Sequence, residues 1–313
     1  MIAPLEWRAP SHESLFFSRA LSMTLTMFTL NAFYGLALAM NMFIIASGLN
    51  LIFGVLRVIN FAHGMFYMFG AYITFTVAKT WGAPFFVGVL AAAVALGLIA
   101  FVVERLLLRH LYDKEHLMQL LFTFAIVLLM SDAAKMIWGT DQYSVGYPPG
   151  MGGAVNLGFV MLPQYQLFLC IVGPLIAVAM WFVVDRTRWG RVVRAATQDR
   201  EMLAALGVNV PMVYAAVFTI GSALAGVGGA LAAPRIALVP GMDATIINEC
   251  FIIVIIGGLG NMWGSFLGAL AFGFVVQFGT VLAPNWQDVL PYVLMLVVLI
   301  IRPWGLLGRP EAG

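Results

Sequence analysis

Charge is what this chain has least of. Among 313 residues there are 16 lysines and arginines and 14 aspartates and glutamates, so charged side chains make up 10% of the protein. Soluble domains carry about 25%, and a water-soluble globular fold is excluded on that ground. Lysine is scarcer still: Lys79, Lys114 and Lys135 are the only three, and none follows a glycine. A phosphate-cradling loop needs Gly-x-x-x-x-Gly-Lys-Ser/Thr, so the chain does not hydrolyse ATP by that route. The two cysteines, Cys170 and Cys250, sit in apolar runs and read as buried thiols rather than a disulfide. No arginine-rich patch is interleaved with exposed aromatics, so the formal charge of +2 points away from nucleic acid. Met1–Arg19 mixes charges of both signs and lacks a small-residue cleavage site, which predicts no cleaved signal peptide.

What the chain has in excess is apolar sequence: 62% of residues are hydrophobic and the mean hydropathy is +0.98. Continuous apolar runs exclude a transmembrane barrel, whose strands alternate apolar and polar. The expected fold is all-α, a polytopic integral membrane bundle of eight to nine crossings, each needing about 20 apolar residues. Clear spans are Phe85–Val103, Leu117–Trp138, Gln166–Val184, Val213–Ala233, Gly264–Leu282 and Val289–Ile301, with a shorter one at Gly64–Val77. Ala20–Leu56 is too long for one span. It reads either as one helix and a broken second, or as two helices meeting near Asn31 or Asn41. Glu249–Gly260 is short, ends in glycines, and reads as a half-helix.

One island interrupts the apolar pattern. Asp185, Arg186, Arg188, Arg191, Arg194, Asp199, Arg200 and Glu201 fall within 17 residues. Arginine and aspartate each cost about 2.5–3.5 kcal/mol at the centre of an inserted helix, so the island lies outside the lipid. Placing it in the cytoplasm also puts Arg57, the Glu104–His116 loop and the Arg302 and Arg309 tail inside. Eleven basic side chains then face inward against three (Lys79, Lys135, Arg235) outward, as the positive-inside rule requires. This orientation needs the Gly257–Met262 turn to be cytoplasmic. The outer side keeps one sizeable loop, Gly139–Pro163, too short to be a receptor domain.

The island predicts a short helix. Thr197 is placed to cap it, Asp199 and Glu201 suit its first turn, Gly207 suits the left-handed position after it, and Pro211 opens the next span. Leu203 and Leu206, three apart, are expected on one face with Met202 and Ala205 beside it. Ringed by Arg191, Arg194 and Arg200, that face suits the groove of a soluble partner. A topogenic loop whose arginines only obey the inside rule is the alternative, and residue chemistry leaves both open.

Two further constellations are candidates for a pathway or gate. In Arg57-Val-Ile-Asn60-Phe-Ala-His63-Gly64 the polar Asn60 and His63 are three apart and Gly64 permits close helix approach; for His63 a packing corner is the favoured reading. In Ile255-Ile-Gly257-Gly258-Leu-Gly260-Asn261-Met-Trp263-Gly264, Gly264 and Gly268 form a GxxxG face, and Gly257, Gly258 and Gly260 join the candidates. Glu249 is read as opening a span from the outer side. Asp132 and Lys135 are spaced as an i,i+3 pair near the outer end of their span. The absence of a deep Asp/Glu/His ladder counts against a proton-coupled carrier.

Four separated segments, VINFAHG (58–64), GRVVRAATQDREMLAALGVNV (190–210), IIGGLGNMWGSFLGAL (255–270) and RPWGLLGRPE (302–311), closely resemble the LivH-type permease of branched-chain amino acid ABC importers. The resemblance covers roughly residue 31 to the C-terminus, which implies a single permease domain over 31–313. Residues 1–30 are then an N-terminal extension and the start of the first apolar run. The resemblance implies a second homologous permease subunit, two cytosolic ABC ATPases, a periplasmic substrate-binding protein and no cofactor, in the inner (plasma) membrane. It also implies that 185–211 is the cytoplasmic coupling loop, with Arg194, Ala195, Ala196, Glu201, Leu203, Leu206 and Gly207 as ATPase-coupling residues. The same superfamily includes importers of urea, amides and aromatic acids. Rivals to this expectation are a stand-alone secondary carrier and a membrane scaffold with no transport role.

Overall fold

The computed structural model of the protein describes residues 12–112, 114–158 and 160–308, with side chains from Leu25 onward, His116 excepted. Most of Met1–Arg19, where no cleavage site is expected, and Arg309 of the tail therefore lie outside the described residues or side chains. The first helix, α1 (His12–Leu56), is continuous through 45 residues. This corrects both readings of the first apolar run. The helix contains no proline, and its asparagines find partners without unwinding a turn. Asn31 Nδ2 donates to the Met27 carbonyl at 2.7 Å, and Asn41 Nδ2 donates to the Gly228 carbonyl at 3.0 Å. Its apolar stretch Leu25–Leu56 is about 48 Å long at 1.5 Å per residue, more than the ~30 Å hydrocarbon layer requires.

The helices that follow are α2 (His63–Phe75), α3 (Phe85–Leu106), α4 (His116–Trp138), α5 (Gln164–Trp181), α6 (Arg188–Gln198), α7 (Arg200–Ala205), α8 (Val210–Ala232), α9 (Met242–Gly257), α10 (Met262–Leu282) and α11 (Leu290–Ile301). Among the described residues six are long and apolar enough to cross a membrane: α1, α3, α4, α5 with its π-helical continuation to Arg186, α8 and α10. Three shorter apolar helices, α2, α9 and α11, accompany them. The half-helix expected at Glu249–Gly260 begins seven residues earlier, at Met242, so Glu249 sits within α9 instead of opening it.

α8 runs through the middle of the bundle, and small residues let its neighbours come close. Gly221 meets Gly48 of α1, Gly226 meets Gly70 of α2, and a Cβ on Gly229 would lie 1.9 Å from the Tyr67 carbonyl oxygen. Lipid removes the hydrophobic drive between helices, so such tight van der Waals packing carries association instead. Phe43, Phe66, Tyr72 and Phe218 fill the interior, while Leu90 on α3, Leu129 on α4 and Leu175 on α5 point outward. A short antiparallel pair, β1 (Ala154–Asn156) with β2 (Met161–Pro163), folds the outer loop, and Tyr143 bridges it to Leu238.

The segments assigned to the cytoplasm converge on one end. Tyr112, after α3, stacks edge to face on Tyr214 of α8 at 5.2 Å. Gly54 of α1 packs on Gly260 of the α9–α10 turn. The Leu306 and Leu307 amides of the tail donate to the Ile256 and Gly257 carbonyls at 2.8 and 3.1 Å. The α9–α10 turn thus lies beside Arg57, as the orientation requires. At the opposite end, Asp132 and Lys135 form the expected i,i+3 pair, exposed, at 3.2 Å.

Candidate functional site

The charged island folds as two helices, not one, and the capping differs from the sequence reading. α6 is capped by Thr187, whose hydroxyl accepts from the Gly190 amide at 3.0 Å. Gly190 sits so close to the end of α5 that a Cβ there would lie 2.0 Å from the Val184 carbonyl oxygen. Thr197 caps nothing: its hydroxyl donates to the Arg194 carbonyl at 2.7 Å, a local bond that helical Ser and Thr favour. Asp199 takes the cap of α7 instead, accepting from the Glu201 and Met202 amides at 3.0 and 2.9 Å. A carboxylate can satisfy two first-turn amides at once, which a threonine two residues earlier cannot reach.

α7 ends in a Schellman turn. The Gly207 amide donates to Ala204 at 2.9 Å and the Val208 amide to Leu203 at 3.3 Å, with Gly207 at φ 82°. Asn209 then caps α8, accepting from the Met212 amide at 3.1 Å, with Pro211 in the first turn. The island is therefore stopped and restarted by named residues, and its six-residue helix is held in a fixed orientation.

That orientation separates two leucines expected on one face. Leu203 is 7% exposed and packs into the core, whereas Leu206 is 74% and Met202 59% exposed. The short helix is too tightly closed by its Schellman turn for residues 203 and 206 to point the same way; Leu206 is already its C-cap. Of the three arginines expected to ring the knob, Arg194 is folded back: it donates to the Val184 carbonyl and pairs with Asp185 at 3.1 Å. Ala196 is buried against the body, Ala195 half-buried, and Glu201 exposed.

Beside α7 lies a cavity of about 600 Å³ walled by Arg109, His110, Tyr112, Arg200, Glu201 and Tyr214. The Tyr112 hydroxyl donates to the buried Glu104 carboxylate at 2.7 Å. Burial, together with that carboxylate, pushes the phenol well above its ordinary range, so Tyr112 stays a donor throughout the physiological range. This pair was missed by sequence reasoning. Its signal was a glutamate at the boundary of an apolar run, with a tyrosine eight residues on.

The Asn60–His63 segment is the stretch between α1 and α2. Arg57 adopts φ 53°, a left-handed conformation uncommon for a side-chain-bearing residue, and turns the chain back into the bundle. His63 is fully buried with Nε2 2.9 Å from the Ile45 carbonyl, a packing corner. Asn60 is also fully buried, yet neither atom of its amide has a hydrogen-bond partner among the described residues. A buried polar group without a partner costs ~1–3 kcal/mol, and such expense concentrates where a protein does something.

Gly257, Gly258 and Gly260 form the α9–α10 turn. Gly257 lies against Gly264, and Gly268 against the Ile253 carbonyl, so the GxxxG face packs α10 onto α9. Gly258, at φ 102°, touches Gly308 of the tail, and the Gly260 amide donates to Asn50 Oδ1 at 2.6 Å. Glu249 stands apart from this turn and from Asn60 and His63. It opens toward α10 and α11, into a recess of about 230 Å³ shared with Asn248, Gln287, Asp288 and Tyr292. The structure thus gathers the predicted residues into four places: the capped helices of the island, a buried polar corner at Asn60 and His63, the glycine turn between α9 and α10, and the recess at Glu249.

Comparison with known proteins bears on the family of the chain. The chain is 29% identical over 290 residues to the high-affinity branched-chain amino acid transport system permease protein BraD of Pseudomonas aeruginosa, covering 88% of this chain and 94% of that one. It is 28% identical over 308 residues to the corresponding LivH of Escherichia coli, covering 89% and 95%. A fructose import permease, FrcC of Rhizobium meliloti, is 30% identical over 144 residues, 43% of this chain and 40% of that one. No solved structure matches. The model of the branched-chain amino acid transport system / permease component family matches residues 31–299, and the chain belongs to that family of multi-pass membrane permeases.

Proposed function

We propose that this chain is one of two homologous transmembrane subunits of an inner-membrane ATP-binding-cassette importer, carrying leucine, isoleucine, valine or related amino acids by alternating access. Residues 31–313 act as one permease domain and 185–211 as the coupling loop. Two cytosolic ATPases supply the energy, which agrees with the lack of a phosphate-cradling loop in this sequence, and a periplasmic binding protein delivers the cargo.

The observation that carries this reading is α7 itself. It is anchored by Leu203, capped by Asp199, closed by Gly207, and leaves Met202 and Leu206 exposed. A purely topogenic loop needs its arginines but has no use for an exposed apolar knob on a fixed helix. Arg194, Ala195 and Ala196 tie that knob through α6 to the end of α5, so a push on α7 is delivered to a membrane-spanning helix. In this scheme Asn60 and His63 border the pathway inside the bundle, and the Gly257–Gly260 turn lies at its moving inner end.

Reconstitution tests it. Proteoliposomes holding this chain with its sister permease, two ATPases and binding protein should accumulate labelled leucine only with ATP inside the ATPase compartment. Uptake by this chain alone, driven by an ion gradient, would refute the proposal in favour of a secondary carrier. Uptake by the complex that survives charge reversal at Arg194 and Gly207→Pro would favour the scaffold. Urea, an amide and an aromatic acid, the alternative cargoes of the superfamily, belong in the same assay as competitors.

A further inference from the structure

The outward surfaces of α3, α4 and α5 show what this protein presents to lipid. Leu90, Val94 and Leu98 are exposed on α3, Leu121, Phe124 and Leu128 on α4, and Ile171, Leu175 and Val178 on α5. The outer half of α9 differs. There the exposed residues are Ala244, Thr245 and Asn248, with Glu249 half-buried beside them. Neighbouring Asp288 is exposed and Gln287 half-buried, and all of these except Ala244 line the recess between α9, α10 and α11.

These groups lie at the depth of the hydrocarbon. Glu249 is eight residues from the inner end of α9 at Gly257, about 12 Å at 1.5 Å per residue, near the middle of a ~30 Å layer. It shares its recess with Phe272, about 15 Å along α10 from Met262. α11 has 12 residues and spans only about 17 Å from Ile301 to Leu290. The connection from Ala283 to Val289 therefore does not stay at the outer surface but dips back beside α9. Gln287 approaches Gly279, inside α10, as the same placement requires. Irregular backbone and carboxylates at this depth are tolerated only inside protein or beside water.

From this we infer that the Thr245–Asn248–Glu249 face of α9 and the Ala283–Val289 connection form the wall of a water-filled vestibule open to the outside, screened from lipid by the second transmembrane subunit. The inference rests on the importer reading for that second subunit, while its geometry rests on this chain. Solute delivered from outside would descend along Asn248 and Gln287 toward the level of Glu249. The inner half of α9 is buried through Val254, Ile256 and Gly257, so the vestibule ends at mid-membrane, as an outward-facing state demands.

Cysteine accessibility in the assembled importer tests this. Thr245→Cys, Asn248→Cys and Gln287→Cys are compared with the lipid-facing Leu129→Cys and Leu175→Cys, in right-side-out vesicles, using a membrane-impermeant charged methanethiosulfonate. The native Cys170 and Cys250 stay in place and the parent rate is subtracted. The first three should react at least tenfold faster than the last two, and modification of Asn248→Cys should block uptake. Reaction of the three no faster than the lipid-facing pair, or reaction only with a lipid-soluble maleimide, overturns the vestibule. ATP-driven uptake measured in the same vesicles before the reagent is added keeps the two readings distinct: vesicles that label but never showed uptake sink the importer reading, and vesicles that take up solute but do not label sink the vestibule.

Discussion

Leu203 and Leu206 are three residues apart, chemically identical, and placed in opposite environments, so exchanging each for alanine separates anchoring from docking. Leu203 is 7% exposed and its carbonyl accepts the last bond of the Schellman turn. Truncating a buried leucine costs about 2–5 kcal/mol through lost transfer energy and the cavity left behind. With 1.4 kcal/mol per tenfold, a 3 kcal/mol loss opens α7 roughly a hundredfold more often. Amide hydrogen exchange on the purified permease in nanodiscs reads this directly. Leu203→Ala should speed exchange of the Met202–Val208 amides by about that factor, with α8 little changed. Leu206 is 74% exposed, so Leu206→Ala should leave exchange within about a factor of two, surface substitutions costing about 0.5 kcal/mol or less. In the assembled importer the ranking inverts. Burying the Leu206 side chain against an ATPase is worth about 2 kcal/mol, at ~0.8 kcal/mol per methylene, so Leu206→Ala should weaken ATPase binding by about thirtyfold. Equal exchange in the two variants would refute the assignment of Leu203 as anchor; unchanged ATPase affinity in Leu206→Ala would refute the exposed knob as the docking element.

Other consequences can be checked in parallel. Gly229→Ala places a Cβ 1.9 Å from the Tyr67 carbonyl and should lower the thermal midpoint in detergent, whereas Gly97→Ala meets nothing nearer than 3.6 Å and should be neutral or stabilising. Asn60→Leu should raise thermal stability by removing a buried amide that has no hydrogen bond, while reducing uptake; a more stable and fully active variant would make Asn60 dispensable to transport. Tyr112→Phe deprives the buried Glu104 carboxylate of its 2.7 Å donor and should cost about 1–3 kcal/mol in denaturant unfolding, with no loss expected from the exposed Tyr147→Phe.

The sequence was informative wherever the bilayer does the selecting. Apolar runs between charges defined α3, α4, α5, α8, α10 and α11 to within a few residues, since a helix is the only open-chain way to hide a backbone in lipid. The uneven distribution of Arg57, Arg105, Arg109, Arg302 and the island set a single inner end, and the structure gathers those segments there. Gly207 and Pro211 were legible because left-handed geometry and a missing amide belong to residue type alone.

Tertiary packing decided the rest. That α1 runs on past Asn41 goes with Gly228 supplying a carbonyl from another helix, nearly two hundred positions away in the chain. Which leucine of the island is anchor and which is knob depends on where the Schellman turn points α7 against the body. What Glu249 faces depends on α11 being short enough to bring Gln287 and Asp288 beside α9. Composition fixes what must leave water, because that preference is carried by each side chain; which groups then meet is set by the geometry of helix against helix, which no local stretch of residues contains.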